Sequence, residues 1–402
     1  MPGISQIRSE LNRTQRRKLR RLLIDAWRNV PLYRTLYARL GLSERELADP
    51  QVLRSLPIIS KADLLATPLD QRINRRFDLS NLTKETTTGS TGQAFSLYID
   101  AHYRRHRNLR FLRGLLSAGY RPWHRLLLLT DRHAGSSRRQ NWHYQSVEDS
   151  TEHILDTYIR VRPQVLYGFT TPLRLLAERL RQRPQTVPAP RLVVATAEML
   201  DSATRRTLQA VFGCPVIDFY GMTEMGLVAW QRPGADGYIT PRSAVLTELI
   251  PDDSCHGRYR MLMTNLDLRA SPIIRFDSGD LAFARSAGGE PVITAFEGRR
   301  IDTLVCRDGT ELSPYRITDA LRDIPGVSRF KVTQRDLTSL DVDLEVDSAS
   351  VDHSRDRTIA RIREIFEKLL GRGLELKFAF TDKLIPDGTR KFRPVESRVL
   401  RP

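Results

Sequence analysis

The chain has 402 residues, 40% of them apolar and 28% charged, a globular composition with room for a large domain and a smaller one. Its formal net charge is +17, yet only 8 of the 64 basic residues are Lys, and the 56 Arg are spread through every segment. The charge is therefore a bias of the whole chain, not a nucleic-acid stripe. No zinc-finger spacing, RNP-type aromatic motif or basic heptad is present, and no apolar run approaches the roughly 18 residues of a membrane helix.

Residues 1–10 lack the charged, apolar and small-residue order of a signal peptide, so a cytoplasmic protein with neither membrane nor nucleic-acid partner is expected. Cys214, Cys255 and Cys306 lie far apart without a C-x-x-C and read as small buried hydrophobes. Near the start, Thr14 can cap a helix with Leu19, Leu22, Leu23, Ala26 and Trp27 on one face and Arg16, Arg17, Lys18, Arg20 and Arg21 around the rest. Such a helix either docks on its own domain, the preferred reading, or lies on a membrane. Val30-Pro31 ends it. Ser60 and Asp63 form a capping box for a short helix.

Next comes Thr86-Thr87-Thr88-Gly89-Ser90-Thr91-Gly92-Gln93, followed by a strand at 95–99. Gly89 and Gly92 admit torsions closed to other residues, so N–H groups and hydroxyls can converge on an anion. The other reading is an ordinary surface turn, since this is not the Walker pattern and lacks its lysine. A helix is predicted at 101–116 and a strand covered on both faces at 126–130. His102 and His106 have a metal-ligand spacing, but Arg104, Arg105 and Arg107 around them point to a solvated basic face. Residues 131–150 read as a long irregular loop with Arg132, Arg138, Arg139, Trp142, His143 and Tyr144, suited to binding or to a lid.

From Gln164 a βαβαβ pattern is predicted, with strands at 165–169, 192–196 and 216–220 and helices at 171–183 and 201–212. Thr171-Pro172 and Asp201 start the helices, and Gly213 ends the second. Parallel strands follow, with ligands beyond their carboxyl ends. Two of those ends carry Ala197-Glu198 and Tyr220-Gly221-Met222-Thr223-Glu224. Turn-rich stretches at 234–240 and 251–257 and strands at 258–264 and 273–276 suggest a smaller antiparallel sheet. Beyond Gly298 a compact α+β unit is expected, with strands at 303–306, 328–333, 341–346 and 375–380 and helices at 314–322 and 355–370. The apolar stripe of the last helix is Ile359, Ile362, Ile365, Phe366 and Leu369. The expected division is 1–297 and 298–402.

Together with Arg275-Phe276-Asp277-Ser278-Gly279-Asp280, Gly298-Arg299 and Arg390-Lys391-Phe392-Arg393, the 86–93 loop and the Tyr-Gly-Met-Thr-Glu motif resemble, in the same order, the motifs of the adenylate-forming superfamily. The look is nearest to its phenylacetate-CoA ligase-like branch, which includes coenzyme F390 synthetase-like and CapK-like proteins, and it extends from about Pro31 to Arg393. The resemblance implies an α/β fold, with a large N-terminal adenylate-forming domain of parallel sheets and helices and a small, mobile α+β C-terminal domain. It implies activation of a carboxylic acid by ATP and Mg²⁺ to acyl-AMP with release of pyrophosphate, then transfer to a thiol. CoA is the favoured acceptor, with a carrier protein or an amine as alternatives.

By the same resemblance Thr87, Thr88, Gly89, Ser90, Thr91 and Gly92 would hold the β- and γ-phosphates, although Gln93-Ala94 stands where the family usually has Lys-Pro. Tyr220 would stack on adenine beside Gly221, Thr223 would bond the α-phosphate, and Glu224 would bind Mg²⁺. Asp280 would grip the ribose, Arg299 would approach ribose or phosphate, and Ala197-Glu198 would lie beside the nucleotide. Lys391 would bridge the reacting carboxylate and phosphate, a task for a compact ammonium on a flexible stem. Trp123, Trp142, Tyr144, Phe169 and the 221–225 region suggest an aryl or arylacetic acid. The oligomeric state is open, a homodimer included. Of other classes, a serine hydrolase lacks the G-x-S-x-G elbow, and a non-catalytic nucleotide-binding protein remains.

Overall fold

The computed structural model describes residues 11–87, 95–131, 135–137, 141–184, 186–241, 243–252, 257–287, 290–321, 324–325, 327–346, 355–385 and 391–399. Thr88, Gly89, Ser90, Thr91, Gly92, Gln93, Arg132, Arg138, Arg139, Cys255 and Arg390 lie outside the described residues, as does the side chain of Thr87. The chain forms two compact units, one of residues 1–118, 219–252 and 257–295, the other of residues 119–218, 253–256 and 296–402.

In the first unit the opening helix is Arg13–Asn29, and its cap is Asn12 instead of Thr14. Asn12 Oδ1 accepts from Gln15 N at 2.9 Å while Gln15 Oε1 accepts from Asn12 N at 2.8 Å. Asn is a stronger cap than Thr, and the reciprocal glutamine three residues on selects it. Leu19, Leu22, Leu23 and Ala26 are buried, so the apolar face is covered by protein, and Lys18 leaves the basic face to donate to Asp267 Oδ1 at 2.6 Å. Val30 ends the helix and Pro31 opens the next, Pro31–Arg39, where its missing N–H is harmless. Ser60 and Asp63 form the expected capping box. His102 and His106 stack at 4.2 Å on helix Ala101–Ser117, and no group of three metal-ligating side chains occurs among the described residues.

A four-stranded sheet of this unit has the order Val245–Pro251, Arg258–Asn265, Phe276–Ala287, Glu290–Arg299. The strand expected at 273–276 is not formed. Arg275 takes φ of 53°, a left-handed turn that breaks extended pairing, and the strand begins one residue later. Nor is 251–257 only turn, since Pro251 closes a strand opposite Tyr259.

In the second unit strands Leu126–Thr130, Trp142–Ser146, Val165–Phe169 and Leu192–Thr196 pair in parallel. Gly135–Ser137 adds an antiparallel edge strand beside Trp142–Ser146. The loop expected at 131–150 is corrected accordingly. Trp142, His143 and Tyr144 are sheet residues, and Trp142 Nε1 donates to the buried Tyr120 hydroxyl at 2.8 Å, a structural role. The helix Thr151–Val161, capped by Ser150, was not evident in the sequence pattern. It supplies Ile154, Leu155 and Tyr158 to a core shared with Leu127, Leu129, Leu166, Leu173, Leu176, Val193, Leu208 and Phe212. Partial burial raises the Cys214 thiol to about 11 and burial also raises Cys306; Cys306 is buried as expected, whereas Cys214 is only half-buried against the core.

The C-terminal segment builds a second sheet of Glu375–Thr381, Ser339–Val346, Val327–Gln334 and Val395–Ser397, in that order. Helices Pro314–Leu321 and Arg355–Leu370 cover it, with Ile317, Val332, Val342, Leu344, Ile362 and Phe366 at the centre. Thr358 and Leu370, not Ile359, complete the buried stripe of the longer helix.

Candidate active site

Within the first unit, the Tyr-Gly-Met-Thr-Glu motif is the tip of a hairpin. Strand Val216–Met222 ends with Met222 opposite Gly226, and Thr223, Glu224 and Met225 make the turn into Gly226–Trp230. The turn is held by two residues that sequence reasoning did not flag. Buried Asn265 donates to Glu224 O at 2.9 Å, and Arg110 Nη2 donates to Met225 O at 2.9 Å. Their only sequence signal is a polar residue closing one apolar strand and an Arg inside a helix. Gly221 is required by close approach, since an added Cβ would lie 2.7 Å from Gly226 O.

This frame presents Glu224. The residue is 7% exposed, and among the described residues no hydrogen bond or ion pair reaches its carboxylate. The residue is largely covered by its neighbours while its carboxylate keeps no partner among the described residues, which leaves its charge for a group that arrives from outside. A hard divalent cation bound by one carboxylate and by phosphate oxygens fits that donor set, whereas an all-protein metal cage would need more ligands. Thr223 beside it is half-buried and offers its hydroxyl.

Tyr220 and Asp280, 60 residues apart, meet directly. The tyrosine hydroxyl donates to Asp280 Oδ2 at 2.5 Å. Asp280 sits on a β-bulge, because pairing shifts from Asp277 opposite Leu262 to Leu281 opposite Arg260. Gly279 has φ of 71°, and its N–H donates to Asp277 Oδ1 at 3.0 Å, so the Asp-Ser-Gly-Asp turn is internally braced. Asp277 also accepts from Arg260 at 2.6 Å, and Ile59 N donates to Arg275 O at 3.1 Å, which ties the 56–60 segment to this motif.

In the second unit a separate cluster forms at the carboxyl ends of parallel strands. Helix Thr170–Gln182 has no local side-chain cap, since Phe169 precedes it. The cap comes from Glu198, whose Oε2 accepts from Thr171 N and whose Oε1 accepts from Thr171 Oγ1, both at 2.7 Å. Ala197, with φ of 68°, makes the left-handed turn that sends Glu198 back to that helix. Glu198 Oε1 also accepts from Phe392 N at 2.6 Å. Burial raises the Glu198 carboxyl, while the bonds from Thr171 and Phe392 and the charge of Lys391 pull it back down. The Lys391 ammonium lies 5.4 Å from the Phe169 ring centroid, a cation–π contact.

Arg299 is exposed and follows Gly298, whose φ is 91°. Nearby, Arg393 forms an ion pair with buried Asp302. Trp123 is 69% exposed, which does not suit a pocket wall.

Residues 142–245 match the AMP-binding enzyme family. The phenylacetate-coenzyme A ligase of Pseudomonas putida is 23% identical over 80% of this chain and 77% of its own length. That of Escherichia coli (strain K12) is 22% identical over 90% and 89%. Among solved structures, 2-hydroxyisobutyryl-CoA ligase, in the postadenylation state in complex with R3-HIB-AMP, superposes with a TM-score of 0.77 at 17% identity, over 95% of this chain and 89% of that one. No helix of the described residues is long and apolar enough to cross a membrane.

Proposed function

We infer, from the AMP-binding (adenylate-forming) superfamily to which this chain belongs and from its distant homology to the phenylacetate-CoA ligases, that it activates an aryl or arylacetic acid and passes it to CoA. The acid-CoA ligase family is common ground for the relatives, and the aromatic acid is suggested by the names of the curated ones. In the first step a carboxylate oxygen attacks the α-phosphorus of ATP and the bond to pyrophosphate breaks. In the second the thiol sulfur attacks the acyl carbon, AMP leaves, and the thiol proton is released. A carrier-protein thiol or an amine is the alternative acceptor.

The observation that carries this reading is Glu224, a largely covered residue on a braced hairpin whose carboxylate has no hydrogen bond or ion pair among the described residues. Mg²⁺ would sit there with the phosphates of ATP, neutralising charge. Thr223 donates to the α-phosphate, Tyr220 stacks on adenine beside Gly221, and Asp280 exchanges its bond to Tyr220 for the ribose hydroxyls. The loop of Thr87, Thr88, Gly89, Ser90, Thr91 and Gly92 holds the terminal phosphates, and Arg299 approaches ribose or phosphate. Ala197 and Glu198 line the nucleotide through their main chain. Lys391 bridges the reacting carboxylate and the α-phosphate. Residues 298–402 are the small domain that turns between the two steps, and 1–297 the large one.

The test is acid-dependent exchange of labelled pyrophosphate into ATP, with a panel of aryl, arylacetic and fatty acids. Exchange with an aromatic acid, followed by thioester on addition of CoA, supports the reading. No exchange and no AMP with any acid would overturn it, with Gln93 in place of the usual lysine the first residue to revert.

A further inference from the structure

We propose that Glu198 is a positioning residue for adenylation, one whose carboxylate clamps the main chain at Phe392 and thereby sets the reach of Lys391. The inference rests on the adenylating role given to Lys391 above and deepens it. The clamp joins residues 194 apart in sequence by a 2.6 Å hydrogen bond to a charged acceptor, stronger than a neutral pair. Its other end is rigid. Both oxygens are tied at 2.7 Å to Thr171, in the first turn of a 13-residue helix whose positive end favours the charge. The left-handed Ala197, a conformation that strains any residue with a Cβ, supplies the turn that makes this geometry possible.

Lys391 is thus located from both ends. Its main chain is one bond from the clamped Phe392 N–H, and its ammonium rests over Phe169, the residue next to the helix that Glu198 caps. A free lysine carries about 2 kcal/mol of rotamer entropy, so a fixed starting point raises the fraction of time it can reach the reacting oxygens. With three hydrogen bonds already accepted, the Glu198 side chain has little left to offer a nucleotide.

The experiment compares Glu198→Ala, Glu198→Gln, Lys391→Ala and the double variant Glu198→Ala/Lys391→Ala in separate half-reactions: pyrophosphate exchange for the first step, and thioester formation from supplied acyl-AMP and CoA for the second. The expected result for Glu198→Ala is an exchange kcat lower by about 10- to 100-fold, with the KM for ATP and the second half-reaction within about threefold of the parent. Glu198→Gln, which keeps an acceptor for Phe392 but opposes an NH₂ to Thr171 N, falls between. The double variant is no slower than Lys391→Ala to within about threefold, because both changes remove one function.

A raised KM for ATP at unchanged kcat would assign the Glu198 side chain to the nucleotide and overturn the proposal. Equal loss in both half-reactions would make it a structural cap only, and multiplying losses in the double variant would do the same. If Lys391→Ala itself retains exchange, the role of Lys391 has failed, and the clamp falls with it. Should Glu198→Ala not fold, Thr171→Val removes one of the three bonds. A loss confined to exchange then supports the clamp, and no loss, or loss in both steps, refutes it.

Discussion

Glu224→Gln separates a functional acid from a structural one. The hairpin that carries it is held by Asn265 on Glu224 O, by Arg110 on Met225 O and by main-chain pairing, none of which uses the carboxylate. The substitution keeps the shape and removes no hydrogen bond or ion pair among the described residues, so folding stability should change by less than about 0.5 kcal/mol. Its charge is a different matter. One electrostatic contact to the transition state in a water-poor site is worth about 2–4 kcal/mol, which predicts a fall of about 30- to 1,000-fold in pyrophosphate exchange. The Mg²⁺ concentration for half-maximal exchange should rise as well. Exchange measured across a MgCl₂ titration, beside urea unfolding of the same preparation, reads both. Unchanged exchange in a folded variant would show that Glu224 holds no metal, and a loss matched by a lowered unfolding midpoint would make it a structural residue.

Three further outcomes are expected. Lys391→Ala should lose adenylation by three or more orders of magnitude, on the scale of a principal charge stabiliser, yet keep thioester formation from supplied acyl-AMP. Lys391→Arg should rescue poorly, since a planar fork cannot occupy the same point, and normal adenylation in either would remove Lys391 from the chemistry. Asp280→Ala should raise the KM for ATP by about 10- to 100-fold through loss of a charged acceptor, while Tyr220→Phe, which keeps the ring and removes only its hydroxyl's bond to Asp280, stays within about threefold; equal effects would refute the ribose assignment. Gly221→Ala places a Cβ 2.7 Å from the Gly226 carbonyl and should cost about 1–3 kcal/mol in urea unfolding, and an unchanged midpoint would mean the hairpin can part there.

Much of this protein is decided locally, and such features are legible without coordinates. Leu126–Thr130, Val165–Phe169 and Leu192–Thr196 form strands as expected, because runs of apolar residues bounded by polar turns have only a doubly covered sheet position to occupy. Asp201 caps its helix and Gly213 closes it at φ of 62°, since caps act within one turn. The ordered motifs likewise carry the resemblance to the adenylate-forming superfamily, because each is contiguous.

What only the tertiary structure decided is which distant groups meet. Trp142 enters a sheet although its flanks read as loop, because a parallel neighbour, Leu126–Thr130, offers it a ladder. Glu198 caps a helix that has no local cap and reaches Phe392 194 residues away, and Tyr220 finds Asp280 across a bulge. Local rules cover a few residues on either side. Hydrogen bonds between remote groups depend on how strands are ordered and where the chain turns, and a single chain read in order carries no signal for that distance.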